Sequence, residues 1–148
     1  MLEQEIRQAL IKEAREWRGT PWIHHQKAKG FGTDCLGFIL GVADAIGIHY
    51  DPIANYNRIP AGDGMLVEFQ RQFYQVESRD RQPGDVGLIR FSGIPHHCVI
   101  FSDRGIIHAS LSERAVVEHG CDGYWQDRLV AVFNPLKTPT GESTLKLQ

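Results

Sequence analysis

No stretch of this 148-residue sequence approaches the ~18 consecutive apolar residues of a membrane-spanning helix, and none of its three cysteines belongs to a C-x-x-C pair. The first absence gives no membrane span. The second, with an odd cysteine count, points to neither a disulfide framework nor a structural zinc site, and leaves at least one thiol of Cys35, Cys98 and Cys121 free. Charge of one sign is also scarce: 16 Lys and Arg stand against 18 Asp and Glu, for a net charge of −2. Such a balance makes no field strong enough to hold nucleic acid or an acidic membrane surface, so neither is implied as a partner. The opening residues Met1 to Leu10 lack the basic start and apolar core of an export signal, so the expectation is cytoplasmic synthesis without export by that route. There is no internal repeat.

What is present is enough apolar content, 42% of the chain, to bury one ordinary core, which predicts a single domain over residues 1–136. Beyond Pro135 the chain is rich in Thr, Lys, Gly and Ser, and residues 137–148 read as a flexible tail. Ile6, Leu10, Ala14 and Trp17 recur at helical spacing among charged residues and predict one amphipathic helix, closed by Gly19 and Pro21. Residues 19–32 read as a loop. A second helix follows Thr33 and Asp34, either of which can cap it. Its broad apolar face comprises Leu36, Phe38, Ile39, Val42, Ala43 and Ile46, and Gly47 suits the left-handed position after its end. Residues 48–64 look irregular, a lid or wall, and Met65, Leu66, Phe69 and Phe73 fit a short helix. Strands are predicted over Val86–Phe91, His97–Phe101, Ile106–Ala109, Ala115–His119 and Arg128–Phe133, with Ser102–Gly105 as a hairpin turn. Helices first and strands last is the order of an α+β fold.

The second helix begins at Cys35, where unpaired N–H groups and the positive end of the helix dipole favour a thiolate. A cysteine on an apolar helix can also be a small hydrophobe filling space. A nucleophilic thiol needs a base within reach and a third polar group to orient that base. His97 and His108 stand at roughly mirrored positions on two antiparallel strands and could serve as that pair. Adjacent strand residues face opposite ways, so only one of His96 and His97 can point at Cys35. A competing reading makes His24, His25, His96, His97 and His108 ligands of a metal hydrolase, but no H-E-x-x-H or comparable spacing supports it and no cofactor is implied.

Gly19-Thr-Pro-Trp22, Asp34-Cys-Leu-Gly-Phe38, Pro83-Gly-Asp85 before an apolar strand, and His97-Cys-Val-Ile100 followed by Ile107-His-Ala109 together resemble the NlpC/p60 family of papain-like cysteine peptidases. The resemblance implies a papain-like fold with N-terminal helices packed on a central antiparallel sheet. It implies hydrolysis of amide bonds in peptidoglycan stem peptides, with Cys35 as nucleophile, His97 rather than His96 as base, and His108 as third polar residue. Trp22, His24, His25, Gln26, Asp34 and Leu36 would bind substrate. The His-Gln loop, and the Val-Val-Glu-His segment followed by a Trp, look most like phage and prophage tail-associated members, so other tail proteins are expected partners and the cell wall the place of action. Two positions depart from the family pattern: Leu36 follows the nucleophile where Ser is common, and Trp22 replaces Tyr after Gly-Thr-Pro. The fold could also serve as a structural tail-tip element without catalysis.

Overall fold

The first helix, α1 (Glu3–Glu16), buries Leu10, Ile11 and Ala14 as its periodicity predicts, with Trp17 packed just beyond its end. Its apolar stripe also contains a charge. Arg7 is 3% exposed and donates through Nη1 to Asp85 Oδ1 at 2.9 Å and to the Pro83 carbonyl at 3.0 Å. An unpaired buried guanidinium would be costly, so this pair ties α1 to the Pro-Gly-Asp turn. Burial pushes the Asp85 carboxyl above its ordinary range, partly offset by the Gln82 N–H and Arg7.

The computed structural model describes residues 2–53, 64–91 and 97–146. Most of the stretch expected as a lid, residues 54–63, and His96 lie outside them. In chain order the remaining elements are β1 (Lys27–Ala28), β2 (Gly32–Thr33), α2 (Cys35–Ile46), α3 (Gly64–Gln72), β3 (Tyr74–Val76), β4 (Val86–Ile89), β5 (His97–Ser102), β6 (Gly105–Ser110), β7 (Ala115–His119), α4 (Gly123–Gln126) and β8 (Leu129–Asn134). Six of these strands form one antiparallel sheet in the order β3-β8-β4-β5-β6-β7. Helices packed on an antiparallel sheet make the α+β class expected from the element order.

Alternation along the strands divides the sheet into two faces. Leu88, Cys98, Ile100, Ile107, Ala109 and Val116 face the helices and join the main core, whereas Ile89, Val99, Phe101, Ile106 and Val132 form a smaller cluster with Trp125 and Leu129. α2 is buried on more than the one face expected of it: Leu36, Gly37, Phe38, Ile39, Gly41, Val42 and Ala43 are all enclosed. A Cβ on Gly41 would strike the Trp17 ring, so that glycine sets how closely α1 and α2 approach. Gly47 ends α2 at φ 88°, returning its N–H to the carbonyls of Ala43 and Asp44.

Two segments differ from their reading in the sequence. The loop before α2 carries a short ladder, Lys27↔Thr33 and Ala28↔Gly32, and further bridges Pro21↔Ala115 and Trp22↔Thr33. It is therefore pinned against both β7 and α2. The segment expected as a loose tail is docked through residue 146. His49 N–H donates to the Thr144 carbonyl at 2.7 Å, Lys146 N–H to the Gly47 carbonyl at 2.8 Å, and the Thr144 hydroxyl, 5% exposed, to the Pro135 carbonyl at 2.6 Å. Backbone pairing holds a segment that composition marked as too polar to fold.

Candidate active site

Asp34 explains the start of α2. Its Oδ1 accepts from Gly37 N at 2.8 Å as an N-cap, and its Oδ2 accepts from His25 N at 2.9 Å, so one carboxylate closes the helix and fixes the preceding loop. His25 sits at φ 57°, a left-handed conformation uncommon outside glycine. Gly37 leaves room for this arrangement, because a Cβ there would fall on the Gln26 carbonyl oxygen. The cap, the strained loop residue and the small residue one turn into the helix are one device that delivers Cys35 at the helix start.

Cys35 is half-buried, and its sulfur faces the side chains of Cys98 and His97. The Cys98 thiol and the facing His97 imidazole hold the Cys35 thiol well below its ordinary value, against burial acting the other way. Burial first, and then the Cys35 sulfur, push the Cys98 thiol well above its own. Cys98 was not among the residues expected at the site. It lies on the helix-facing side of β5, 0% exposed, and presents its S–H to the neighbouring sulfur. All three cysteines are free thiols.

His97 opens β5, and its Nε2 lies 2.7 Å from His108 Nδ1. The register Ile100↔Ile107 makes the two residues diagonal rather than directly opposite neighbours, a separation that imidazoles can span. His108 is 2% exposed, and its Nε2 lies 2.8 Å from Nε2 of His119, whose Nδ1 lies 2.9 Å from the Gly120 carbonyl oxygen. Burial, with His97 and His119 on either side, pushes His108 down to about 2, so its ring is neutral at neutral pH. Trp125 covers the row, its ring centroid 5.0 Å from that of His108 and 5.1 Å from that of His119. His119, expected only at the end of a strand, and Trp125 are the residues of this row that sequence reasoning left out of the site. The signal for His119 was available: His97, His108 and His119 recur every eleven residues through two hairpins, which sets them on one diagonal of one face.

The other candidate residues divide by exposure. Trp22 is half-buried, His24, His25 and Gln26 are exposed, and the Trp22, His24 and His25 rings stack in a column beside the start of α2. These four are open to a ligand. Asp34 and Leu36 are not, being 3% and 1% exposed. The expectation that they bind substrate is corrected: Asp34 turns inward to backbone N–H groups, and Leu36, where Ser is common, fills the core. One set of metal-ligand types meets among the described residues, His24, His25 and Asp34, with atoms within 4.8 Å of one another. The two rings stack 3.7 Å apart at 26°, so their lone pairs lie in two nearly parallel planes, an arrangement unlike the tetrahedral convergence of a zinc site.

A thiol at a helix start facing an imidazole backed by a second imidazole can exchange a proton and attack an electrophilic carbon. The sequence profile of the NlpC/P60 family matches residues 17–134, a span that holds Cys35, His97, His108 and His119. The chain belongs to the NlpC/P60 family. This NlpC/P60 chain is similar in structure to an NLP/P60-family lipoprotein-like protein from Staphylococcus aureus, with a TM-score of 0.67 and 18% identity over 99% of this chain and 43% of that one. It is similar also to the NlpC/p60 domain of the peptidoglycan hydrolase SagA (TM-score 0.58, 20% identity, 86% and 97% covered). A third likeness is to the peptidoglycan hydrolase RipB from Mycobacterium tuberculosis (TM-score 0.62, 16% identity, 90% and 67% covered). At these identities the likeness is one of fold, and this chain spans about two fifths of the Staphylococcus protein. The sequence has no match among curated proteins.

Proposed function

We propose that this NlpC/P60 domain is a thiol-dependent hydrolase of amide bonds in peptidoglycan stem peptides, with Cys35 as nucleophile, His97 as proton carrier and His108 as its orienting partner. The observation that carries the reading is the contact of a half-buried helix-start thiol with an imidazole that is itself hydrogen-bonded to a neutral imidazole. Family membership supports the reaction class, and the names of SagA and RipB support the substrate class.

In this mechanism the Cys35 proton passes to His97, and the thiolate attacks the amide carbonyl. Backbone N–H groups in the first turn of α2 face the developing oxyanion. The His97 imidazolium then protonates the leaving amine, and the neutral ring activates water against the acyl-enzyme. His108 cannot take the proton itself, because its ring resists charging, so the charge stays on His97 beside the thiolate. The column of half-buried Trp22 and exposed His24 and His25, with Gln26, lines the approach. The His-Gln loop and the Val-Val-Glu-His strand support a setting in a phage or prophage tail, where the domain would act on the cell wall.

The test is mass analysis of muropeptides after digestion of purified peptidoglycan. Wild-type protein should release cleaved stem peptides, whereas Cys35→Ala and His97→Ala should release none while keeping the native circular dichroism. Undiminished cleavage by Cys35→Ala would overturn the reading.

A further inference from the structure

The row of histidines ends on a group whose hydrogen-bonding role is not negotiable. A backbone carbonyl accepts only, so across the 2.9 Å from His119 Nδ1 to the Gly120 oxygen the proton must sit on Nδ1. A neutral His119 then offers a lone pair at Nε2. Facing it at 2.8 Å, His108 Nε2 must donate. His108 is neutral, so its Nδ1 is left as an acceptor, and at 2.7 Å it takes the proton of His97 Nε2. With Nε2 carrying a proton, the basic lone pair of neutral His97 is on Nδ1.

We infer that His119 is a positioning residue: anchored on the Gly120 carbonyl, it fixes the tautomers of His108 and His97 in turn, and so places the lone pair of His97 for the Cys35 proton. The order follows from the distances once one end is tied to a carbonyl. Turning any one ring to its other tautomer would oppose two donors or two acceptors at under 3 Å. The arrangement also tolerates the catalytic cycle. When His97 takes the thiol proton, both its nitrogens carry hydrogen, and Nε2–H still donates to His108. Position explains why the anchor lies on a third strand: β6 pairs with β7 through Ile106↔His119 and His108↔Val117, which makes His119 the diagonal neighbour of His108 on the face that carries His97. Trp125 walls this face over both junctions. The sulfur at the far end is faced by two titratable groups from β5, His97 and Cys98, with Asp34 bearing on Cys98.

The inference rests on Cys35 and His97 as the reacting pair, and its test is chosen to be independent of the substrate. Iodoacetamide alkylation of Cys35 as a function of pH reports the thiolate without any peptidoglycan, in a Cys121→Ala background that keeps the buried Cys98 beside the sulfur, with the alkylated peptide identified by mass spectrometry so that Cys35 alone is read. In His119→Ala the tautomer of His108 is released, and the midpoint of the alkylation profile should move up toward that of an ordinary thiol. With muropeptide substrate, kcat should fall on the order of ten- to a hundredfold, as loss of an outer orienting partner commonly costs, with KM within about twofold. His119→Gln, whose amide oxygen can accept from His108 Nε2–H near the same place, should recover most of both. A His119→Ala protein with an unmoved alkylation midpoint and unchanged kcat overturns the inference, as does a Gln variant no better than Ala. If wild-type protein cleaves no stem peptide but the alkylation shift and its rescue are seen, the substrate assignment fails and the role of His119 stands.

Discussion

Removing the Asp34 carboxylate should separate its two tasks. In Asp34→Ala, α2 loses its N-cap at Gly37 N, and the loop loses the anchor at His25 N. Loss of a cap costs about 1 kcal/mol, and loss of a hydrogen bond to a charged group about 1.5–3 kcal/mol. The lower end applies to the second bond, because His25 is exposed and water can replace the carboxylate there. The sum is about 2.5 kcal/mol, which for a domain of this size lowers Tm by roughly 8 °C. Asp34→Ser keeps an oxygen that can cap Gly37 but is too short to reach His25 as well, so it should recover about 1 kcal/mol of that loss and no more. Equilibrium urea denaturation of the three proteins measures the stabilities, and the alkylation rate of Cys35 measures what the loop does for the nucleophile. Both variants should alkylate more slowly at neutral pH than wild type, since each frees the segment that delivers Cys35. Equal stability of the Ala and Ser variants, or a loss below about 1 kcal/mol for Ala, would refute the two-bond account.

Other perturbations read different parts of the same structure. Gly37→Ala puts a methyl group on the Gln26 carbonyl, and overpacking against backbone should cost about 1–3 kcal/mol by urea denaturation and reduce turnover through displacement of the loop. Arg7→Met leaves Asp85 buried without its cation; breaking one side of such a pair should cost about 3–5 kcal/mol, and Arg7→Met/Asp85→Asn should lose less than the single variant. His108 supplies a pH dependence. Burial holds its folded-state ring down to about 2, whereas an unfolded histidine titrates near ~6.5, so below that value the unfolded chain binds a proton that the folded chain refuses. Its contribution to stability is therefore complete above ~6.5 and lost as pH falls, by about 1.4 kcal/mol per unit, and urea titrations at pH 7 and 5 should show a smaller acid loss in His108→Asn than in wild type.

The sequence by itself determined the parts whose signal is local. The 3.6-residue spacing of Ile6, Leu10 and Ala14, the Asp34 cap with Gly47 at the far end, and the alternating strands from Val86 onward set the α+β class and placed Cys35 at a helix start, because each depends on residues within a few positions of one another. The candidate pair His97 and His108 was legible for the same reason, through a four-residue turn. Only the tertiary structure decided what depends on packing between distant segments. It turned Asp34 and Leu36 inward, away from any ligand, because α2 is enclosed on nearly all sides rather than along one stripe. It brought Cys98 to the sulfur of Cys35, and docked residues 137–146 by backbone pairing, which leaves no mark on side-chain composition. It also laid His119 diagonally beside His108, since strand register is fixed by the whole sheet and by the core beneath it.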